Sequence, residues 1–253
     1  MKKLLAFDMD DTIAITKSPI SARMATAFGD ILDNFDICII SGGNYNLFGN
    51  QFISQLHVEP AKLARVHLMP TCGTRYYRYD LTQKEWVLQY AEDLTSEEKV
   101  EISMVLEESA KEAGFWPENP AGQVIEDRES QVTYSGLGQY ASAEDKYAWD
   151  PDKKKRMAIR EIALNKLPNL EVRLGGTTSI DVTRKGIDKA YGMQKLMDAN
   201  GFKKEDILFF GDQLQEGGND YPVKAFGIDV IEVTRWEDTA GHLEAIVKDR
   251  GDL

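Results

Sequence analysis

Leu4-Leu5-Ala6-Phe7-Asp8-Met9-Asp10-Asp11-Thr12 is the stretch on which the reading of the whole chain turns. Four apolar residues run directly into three acids and a threonine. A short, wholly apolar run reads as a strand buried on both faces, as in a parallel sheet covered by helices. Its carboxyl end then sets Asp8 and Asp10 on the rim of the sheet, where open α/β folds place their ligands. Two carboxylates one residue apart repel each other unless a cation or a proton lies between them. The alternative is a solvated acidic turn after an edge strand, and the remaining chain decides between the two.

Working outward, residues 21–35 predict a helix. Met24, Phe28, Ile31, Leu32 and Phe35 recur at spacings of three and four and form one apolar stripe. Residues 37–40 predict a second buried strand, ending in Ser41-Gly42-Gly43-Asn44. Strand, helix, strand makes a βαβ unit with a right-handed crossover, so Asp8 and Ser41 should share one rim. Residues 65–69 predict a third strand, broken by Pro70-Thr71-Cys72-Gly73, and 74–79 predict an exposed hairpin strand.

Far along the chain the same pattern returns. Residues 189–200 predict a helix with Ala190, Met193 and Met197 inward and Gly201 just beyond its end. Residues 207–210 predict a buried strand that delivers Gly211-Asp212 to the rim. A short strand at 230–233 and a polar C-terminal helix follow.

The block between differs in character. Thr95 and Glu98 form a capping-box pattern, and Ile102, Val105, Leu106 and Ser109 trace a helix that stops near Gly114. Strand-like segments at 123–128 and 131–135 follow. Asp150-Pro151 is expected to open a Lys-rich helix with Pro at its first position, and Lys153-Lys154-Lys155-Arg156 to be a solvated helix face. Residues 170–174 and 178–183 predict antiparallel strands joined through Gly175-Gly176. The expected fold is therefore α/β: a parallel-sheet core of residues 1–80 and 184–253, with an inserted α+β domain at 81–183.

Composition narrows the partners. With 253 residues, the chain can bury a sizeable core, and 42% hydrophobic with 28% charged residues is ordinary for a globular protein. A formal charge of −12 argues against nucleic acid or an anionic membrane, whose binding rests on Lys and Arg. A small phosphorylated substrate fits if local cations or a metal offset that field. Cys38 and Cys72 form neither a disulfide framework nor a zinc pattern, and Cys38 reads as a small buried hydrophobe. The first apolar run breaks at Asp8, short of a signal-peptide core, and no later run approaches the length of a membrane span. The expected location is the cytoplasm.

Four pieces converge on one rim: Asp8 with Asp10, Ser41, Lys189 and Asp212. Carboxylates from two strands, with a backbone carbonyl and waters, make an oxygen-only site suited to Mg²⁺. Asp8 can then stay ionised and attack phosphorus as a carboxylate nucleophile. Lys189, Ser41 and backbone N–H groups near Gly42 would hold the phosphoryl oxygens, where charge accumulates in transfer.

Asp8-Met9-Asp10-Asp11-Thr12 resembles the D-x-D-x-T motif of the haloacid-dehalogenase (HAD) superfamily of aspartate phosphotransferases, and the other three motifs fall in order. The resemblance implies that Asp8 becomes the aspartyl-phosphate, that Asp10 is the general acid/base, and that Ser41 and Lys189 bind the phosphoryl group. It implies Mg²⁺ held by Asp8, the Asp10 backbone carbonyl and Asp212. The insertion resembles the α+β cap of the type IIB subgroup on a Rossmann-like core. Within that subgroup the chain is similar to eukaryotic-type phosphomannomutases. Gly211-Asp212-Gln213-Leu214-Gln215-Glu216-Gly217-Gly218-Asn219-Asp220 resembles their GDxxxxGGND, with Asp220 holding the metal through water. Glu126-Asp127-Arg128 and Tyr134-Ser135-Gly136-Leu137-Gly138-Gln139 resemble their EFRN…VSPIGR, and Thr178-Ser179-Ile180-Asp181-Val182 their SFDV segment. The resemblance implies that Arg128 anchors a distal phosphate and that Ser179 and Asp181 contact substrate. It also implies a homodimer through the cap as one arrangement.

Two departures matter. Gln139 stands where that family has a phosphate-anchoring arginine, and Asp11 where it has glycine. Replacing a charged bidentate fork by a neutral amide costs roughly 2–3 kcal/mol of phosphate binding. A mutase needs its bisphosphate intermediate held while it turns over, whereas a phosphatase needs one phosphate over Asp8. The expectation is a Mg²⁺-dependent phosphohydrolase of a sugar phosphate or similar small metabolite. The alternatives are a phosphomannomutase or phosphoglucomutase, and a sugar-phosphate sensor without turnover.

Overall fold

The computed structural model describes residues 2–249. The chain opens with β1 (Leu4–Phe7), α1 (Ala22–Ile31), β2 (Asp36–Ile40), α2 (Tyr45–Gln51), α3 (Pro60–Leu63), β3 (Val66–Met69), β4 (Arg75–Asp80) and β5 (Glu85–Ala91). Then come α4 (Ser96–Glu112), β6 (Ile125–Asp127), β7 (Val132–Ser135), α5 (Ala143–Trp149), α6 (Lys154–Lys166), β8 (Leu170–Leu174) and β9 (Ser179–Arg184). The chain closes with α7 (Lys189–Asn200), β10 (Ile207–Gly211), α8 (Tyr221–Phe226), β11 (Asp229–Glu232) and α9 (Trp236–Lys248). These fall into two compact units, one running to Ala91 and resuming at Asp188, the other Glu92–Ile187.

The first unit is built on a seven-stranded sheet ordered β11-β10-β1-β2-β3-β4-β5. Its first five strands are parallel, and β4 and β5 add an antiparallel hairpin. Side chains alternate across each strand, and both faces are covered. Leu5, Phe7, Ile37 and Ile39 pack with Met24, Phe28 and Ile31 of α1 and Leu243 of α9. Leu4, Ala6, Cys38 and Ile40 pack with Met193 and Leu196 of α7 and Val223 of α8. That two-sided burial explains why the strands read as unbroken apolar runs. It also buries the Cys38 thiol and pushes its pKa up.

The second unit carries the four-stranded antiparallel sheet β6-β7-β9-β8. Val132, Tyr134, Val172, Ile180 and Val182 point to one face and pack with Ile102 and Leu106 of α4 and Ile159 and Ala163 of α6. Thr95 and Glu98 close the capping box at the start of α4, each side chain accepting the other residue's backbone N–H.

Several expectations need revision. The chain divides after Ala91 and Ile187 rather than at 81 and 183, because β5 pairs along β4 in the large sheet. α7 turns Lys189, Gly192, Met193 and Leu196 inward; Ala190 and Met197 are only partly buried, since the helix is rotated to carry the Lys189 ammonium inside. α6 starts at Lys154, not at Pro151, because the Asp150 carboxylate accepts the Lys155 and Arg156 N–H groups and fixes the first turn there. Arg156 is not solvated: its guanidinium is buried against Asp150, Nε to Oδ2 2.7 Å. Its Nη1 donates to the Gly175 and Gly176 carbonyls, and its Nη2 to the Asp150 carbonyl at 3.5 Å. No helix among the described residues is long and apolar enough to cross a membrane.

Candidate active site

Three neighbouring parallel strands, β10, β1 and β2, end together, with Phe7 level with Phe210 on one side and Ile39 on the other. The next residues along each strand bring Asp8, Asp212 and Ser41 to one rim. From α7, Lys189 enters this rim. Its Nζ lies 2.5 Å from Asp8 Oδ1 and 2.6 Å from Asp220 Oδ1, with side-chain exposures of 1%, 5% and 0% for the three residues. The second Asp220 oxygen accepts the Gln213 N–H at 3.1 Å. Gly211 gives Asp220 its room, because a Cβ there would lie 2.6 Å from Asp220 Oδ2.

Asp8, Asp212 and Asp220 each present a carboxylate oxygen within 4.8 Å of the others. Three carboxylates against the Lys189 ammonium leave two negative charges unbalanced when all are ionised. Burial therefore pushes the Asp8 carboxyl well above the usual carboxylate range; Lys189 opposes the rise, and Asp220 and Asp212 add to it. Burial, followed by the Asp220 charge, pushes Asp212 up to about 7. Burial alone would drive the Lys189 ammonium toward neutrality, but Asp220 and Asp8 outweigh it, so its pKa is raised and it stays charged. A proton held by either raised carboxyl is one that a divalent cation would have to displace. An all-oxygen donor set with an excess of two negative charges fits a hard divalent cation such as Mg²⁺.

Asp10 is placed differently. Its Oδ1 accepts the Lys17 N–H at 2.7 Å, and its carboxylate lies outside the three-acid cluster. Asp11 adopts φ 61°, a left-handed conformation that Asp tolerates better than most residues, and its carboxylate accepts the Thr16 N–H at 3.2 Å. The two acids thus organise the loop leaving β1. Ser41 Oγ accepts the Gly43 N–H at 3.2 Å, so the Ser41-Gly42-Gly43 turn is closed on itself.

In the second unit the register sets Thr133 opposite Asp181, Ser135 opposite Ser179 and Glu126 opposite Thr133. These residues share the face turned away from α4 and α6, and it is polar. Asp181 Oδ1 accepts from Thr133 Oγ1 at 2.8 Å, and Glu126 Oε1 from Ser135 Oγ at 2.6 Å. Arg128 is buried and donates twice to Glu126 Oε2, at 3.2 and 2.9 Å. Ser179 and Asp181 thus share one face, with Arg128 joined to it through Glu126. Gln139 lies in the loop after β7, and Lys146 of α5, itself buried, donates to its carbonyl at 3.1 Å. Lys146 escaped the sequence reading because α5 carries no apolar periodicity. The double grip of Asp8 and Asp220 on Lys189 escaped it too, and only the GGND spacing hinted at it.

A carboxylate cluster gripping a buried lysine on a parallel-sheet rim, with an inserted α+β unit, is the arrangement of the haloacid-dehalogenase superfamily. A haloacid dehalogenase-like hydrolase from Bacteroides thetaiotaomicron superposes with a TM-score of 0.63 at 17% identity, covering 97% of this chain and all of that one. The IMP-nucleotidase of Plasmodium falciparum with bound IMP superposes with a TM-score of 0.68 at 16% identity, over 98% of this chain and 68% of that one. A sequence model described as eukaryotic phosphomannomutase matches residues 117–249. The chain belongs to the eukaryotic phosphomannomutase family. A phosphomannomutase of Spinacia oleracea is 35% identical over 109 residues, a stretch that is 41% of this chain and spans only 42% of that protein's length.

Proposed function

We propose that the protein is a divalent-metal-dependent phosphohydrolase of a sugar phosphate or similar small phosphorylated metabolite, working through an aspartyl-phosphate on Asp8. The carrying observation is Lys189 clamped between Asp8 and Asp220 beside Asp212. Asp8, Asp212, Asp220 and the Asp10 backbone carbonyl would hold the cation. When bound, it would supply positive charge to the phosphoryl oxygens and keep Asp8 ionised.

An Asp8 carboxylate oxygen attacks phosphorus, and the bond from phosphorus to the leaving oxygen breaks. Asp10 delivers its proton to that oxygen. A water then gives a proton to Asp10 and attacks the phosphoryl group, releasing phosphate and the Asp8 carboxylate. Lys189, Ser41 and the N–H groups around Gly42 bind the phosphoryl oxygens. The Asp10 oxygen not committed to Lys17 carries the proton.

Arg128, Gln139, Ser179 and Asp181 are the candidates for selecting the rest of the substrate. Gln139 supports hydrolysis over mutation, and so does Arg128, whose charge is already balanced by Glu126. A loss of roughly 2–3 kcal/mol means about 30- to 150-fold weaker holding of a second phosphate. The reading as a phosphomannomutase or phosphoglucomutase draws support from family membership and from Lys146, a buried ammonium beside Gln139.

A screen of phosphorylated metabolites with Mg²⁺, comparing wild type, Asp8→Asn and Gln139→Arg, tests the choice. Released phosphate that disappears in Asp8→Asn supports the hydrolase. Isomerised hexose phosphate without net phosphate release, dependent on a hexose bisphosphate, assigns the mutase. Ligand binding without either product assigns a sensor.

A further inference from the structure

The turn after β3 is unusual. Thr71, Cys72 and Gly73 have φ of 50°, 55° and 84°, three successive left-handed residues of which only the last is glycine. Non-glycine residues hold that conformation only where their surroundings enforce it. Here the surroundings are explicit. The Thr71 N–H donates to the Gly43 carbonyl and the Cys72 N–H to the Ser41 carbonyl, both at 2.9 Å. The Tyr90 hydroxyl donates to the Gly73 carbonyl at 2.8 Å, and the Thr74 hydroxyl to the Thr71 carbonyl at 2.8 Å.

The opposite side of this turn rests on α7. A Cβ at Gly73 would lie 2.5 Å from Gly192 Cα, and a Cβ at Gly192 would lie 2.6 Å from the Cys72 carbonyl oxygen and 2.5 Å from Ile40 Cδ1. Backbone therefore meets backbone with no side chain between. Gly192 lies inside a helix, where glycine is among the poorest formers, one turn after Lys189. Packing, not helical preference, explains it.

We propose that Gly73 and Gly192 are positioning residues, and that their backbone contact sets how far Lys189 reaches between Asp8 and Asp220. The turn fixes the phosphoryl-binding segment Ser41-Gly42-Gly43 on one side and the first turn of α7 on the other. One rigid piece thus holds the two phosphate-binding elements at a fixed spacing. This rests on the reading of Lys189 and Ser41 as phosphoryl ligands.

The test compares full-length Gly192→Ala with Gly241→Ala, a second helical glycine whose added Cβ would meet nothing within 4 Å. Crystal structures give the Lys189 Nζ distances, and p-nitrophenyl phosphate with Mg²⁺ gives kcat and KM. In Gly192→Ala, Lys189 should withdraw from at least one carboxylate, and kcat should fall about 100-fold with KM changed far less. Gly241→Ala should match wild type in both. If Gly192→Ala fails to fold, Gly73→Asn presses on the same contact from the turn side with a residue that tolerates positive φ. Retention of both Lys189 ion pairs at their present lengths in the folded variant would overturn the proposal. Absence of turnover in wild type would overturn the hydrolase reading instead, leaving the positioning role to be judged on the distances alone.

Discussion

Lys189 Nζ lies 2.6 Å from Asp220 Oδ1, in a pair closed off from solvent at the base of the sheet rim. Asp220 thus fixes the Lys189 ammonium and shares it with the candidate nucleophile Asp8.

Asp220→Asn keeps the shape but removes the balancing charge. Lys189 should then lean on Asp8 alone and tie up its attacking oxygen. Turnover is expected to fall by about 100-fold, comparable to losing one preorganised electrostatic group. Breaking a buried pair should cost about 3–5 kcal/mol of stability. Steady-state kinetics and urea unfolding measure both, and a variant with unchanged kcat would remove Asp220 from this role.

With its raised carboxyl, Asp212 would make the binding of a divalent cation to the acidic cluster depend on pH. Its carboxyl is raised from 3.8 to about 7. Between those values the folded metal-free protein keeps a proton that the unfolded chain has lost. That stabilising contribution is full below pH 3.8 and is lost as pH rises through about 7. A divalent cation must displace the same proton, so Mg²⁺ affinity should weaken by up to about tenfold per pH unit below 7. Thermal shift titrations at pH 6 and pH 8 should show the larger Mg²⁺ stabilisation at pH 8. Asp212→Asn should lose most of that difference.

His67 offers a second titration, at a residue outside the Asp8–Asp212–Asp220 cluster. It is buried, with Nδ1 2.7 Å from the Tyr76 hydroxyl and Nε2 3.8 Å from Asp36. Burial pushes its pKa below 6.5; Asp36 opposes the shift and Arg78 adds to it. A depressed folded value means the stabilising contribution is present above pH 6.5 and is lost as pH falls through the folded pKa. NMR titration of the ring should place His67 below 6.5, and His67→Gln should flatten the stability profile on the acid side. A ring that titrates above 6.5 contradicts the assignment.

Asp150→Ala should be among the most damaging substitutions in the second unit. It strands the buried Arg156 guanidinium and removes the cap of α6 in one step. The expected loss is about 3–5 kcal/mol, read from the urea midpoint. Asp152→Ala, at an exposed acid two residues on, should stay within about 0.5 kcal/mol of wild type. Equal effects from the two would show that the buried pair carries no special weight.

Much of this architecture was legible in the sequence because it rests on short-range pattern. The apolar runs at 4–7 and 37–40 read as strands covered on both faces, and each is followed at once by a polar residue on the rim. The capping box of Thr95 and Glu98 was readable for the same reason: its partners are three residues apart. What escaped depends on distant partners. The place of β5 is decided by pairing with β4, since its own exposure pattern is mixed. Arg156 looked like part of a solvated basic run until Asp150 and the Gly175 and Gly176 carbonyls closed around it. The inward face of α7 was misjudged because a lysine in that stripe counts as polar by composition, yet is buried when two carboxylates receive it.

The strand that begins the site, β1, lies between β2, which follows soon after it, and β10, which is reached only after the entire inserted unit. During synthesis its β10-facing edge stays unpaired until residue 211 has been made. Four consecutive buried apolar residues flank that open edge, the kind of surface on which nascent chains associate with one another. Rapid closure of the inserted unit would shorten this exposure by bringing the ends of its chain segment together. Substitutions that slow the second unit's folding should therefore lower soluble yield through aggregation of the first, even where they leave the finished protein's active site untouched.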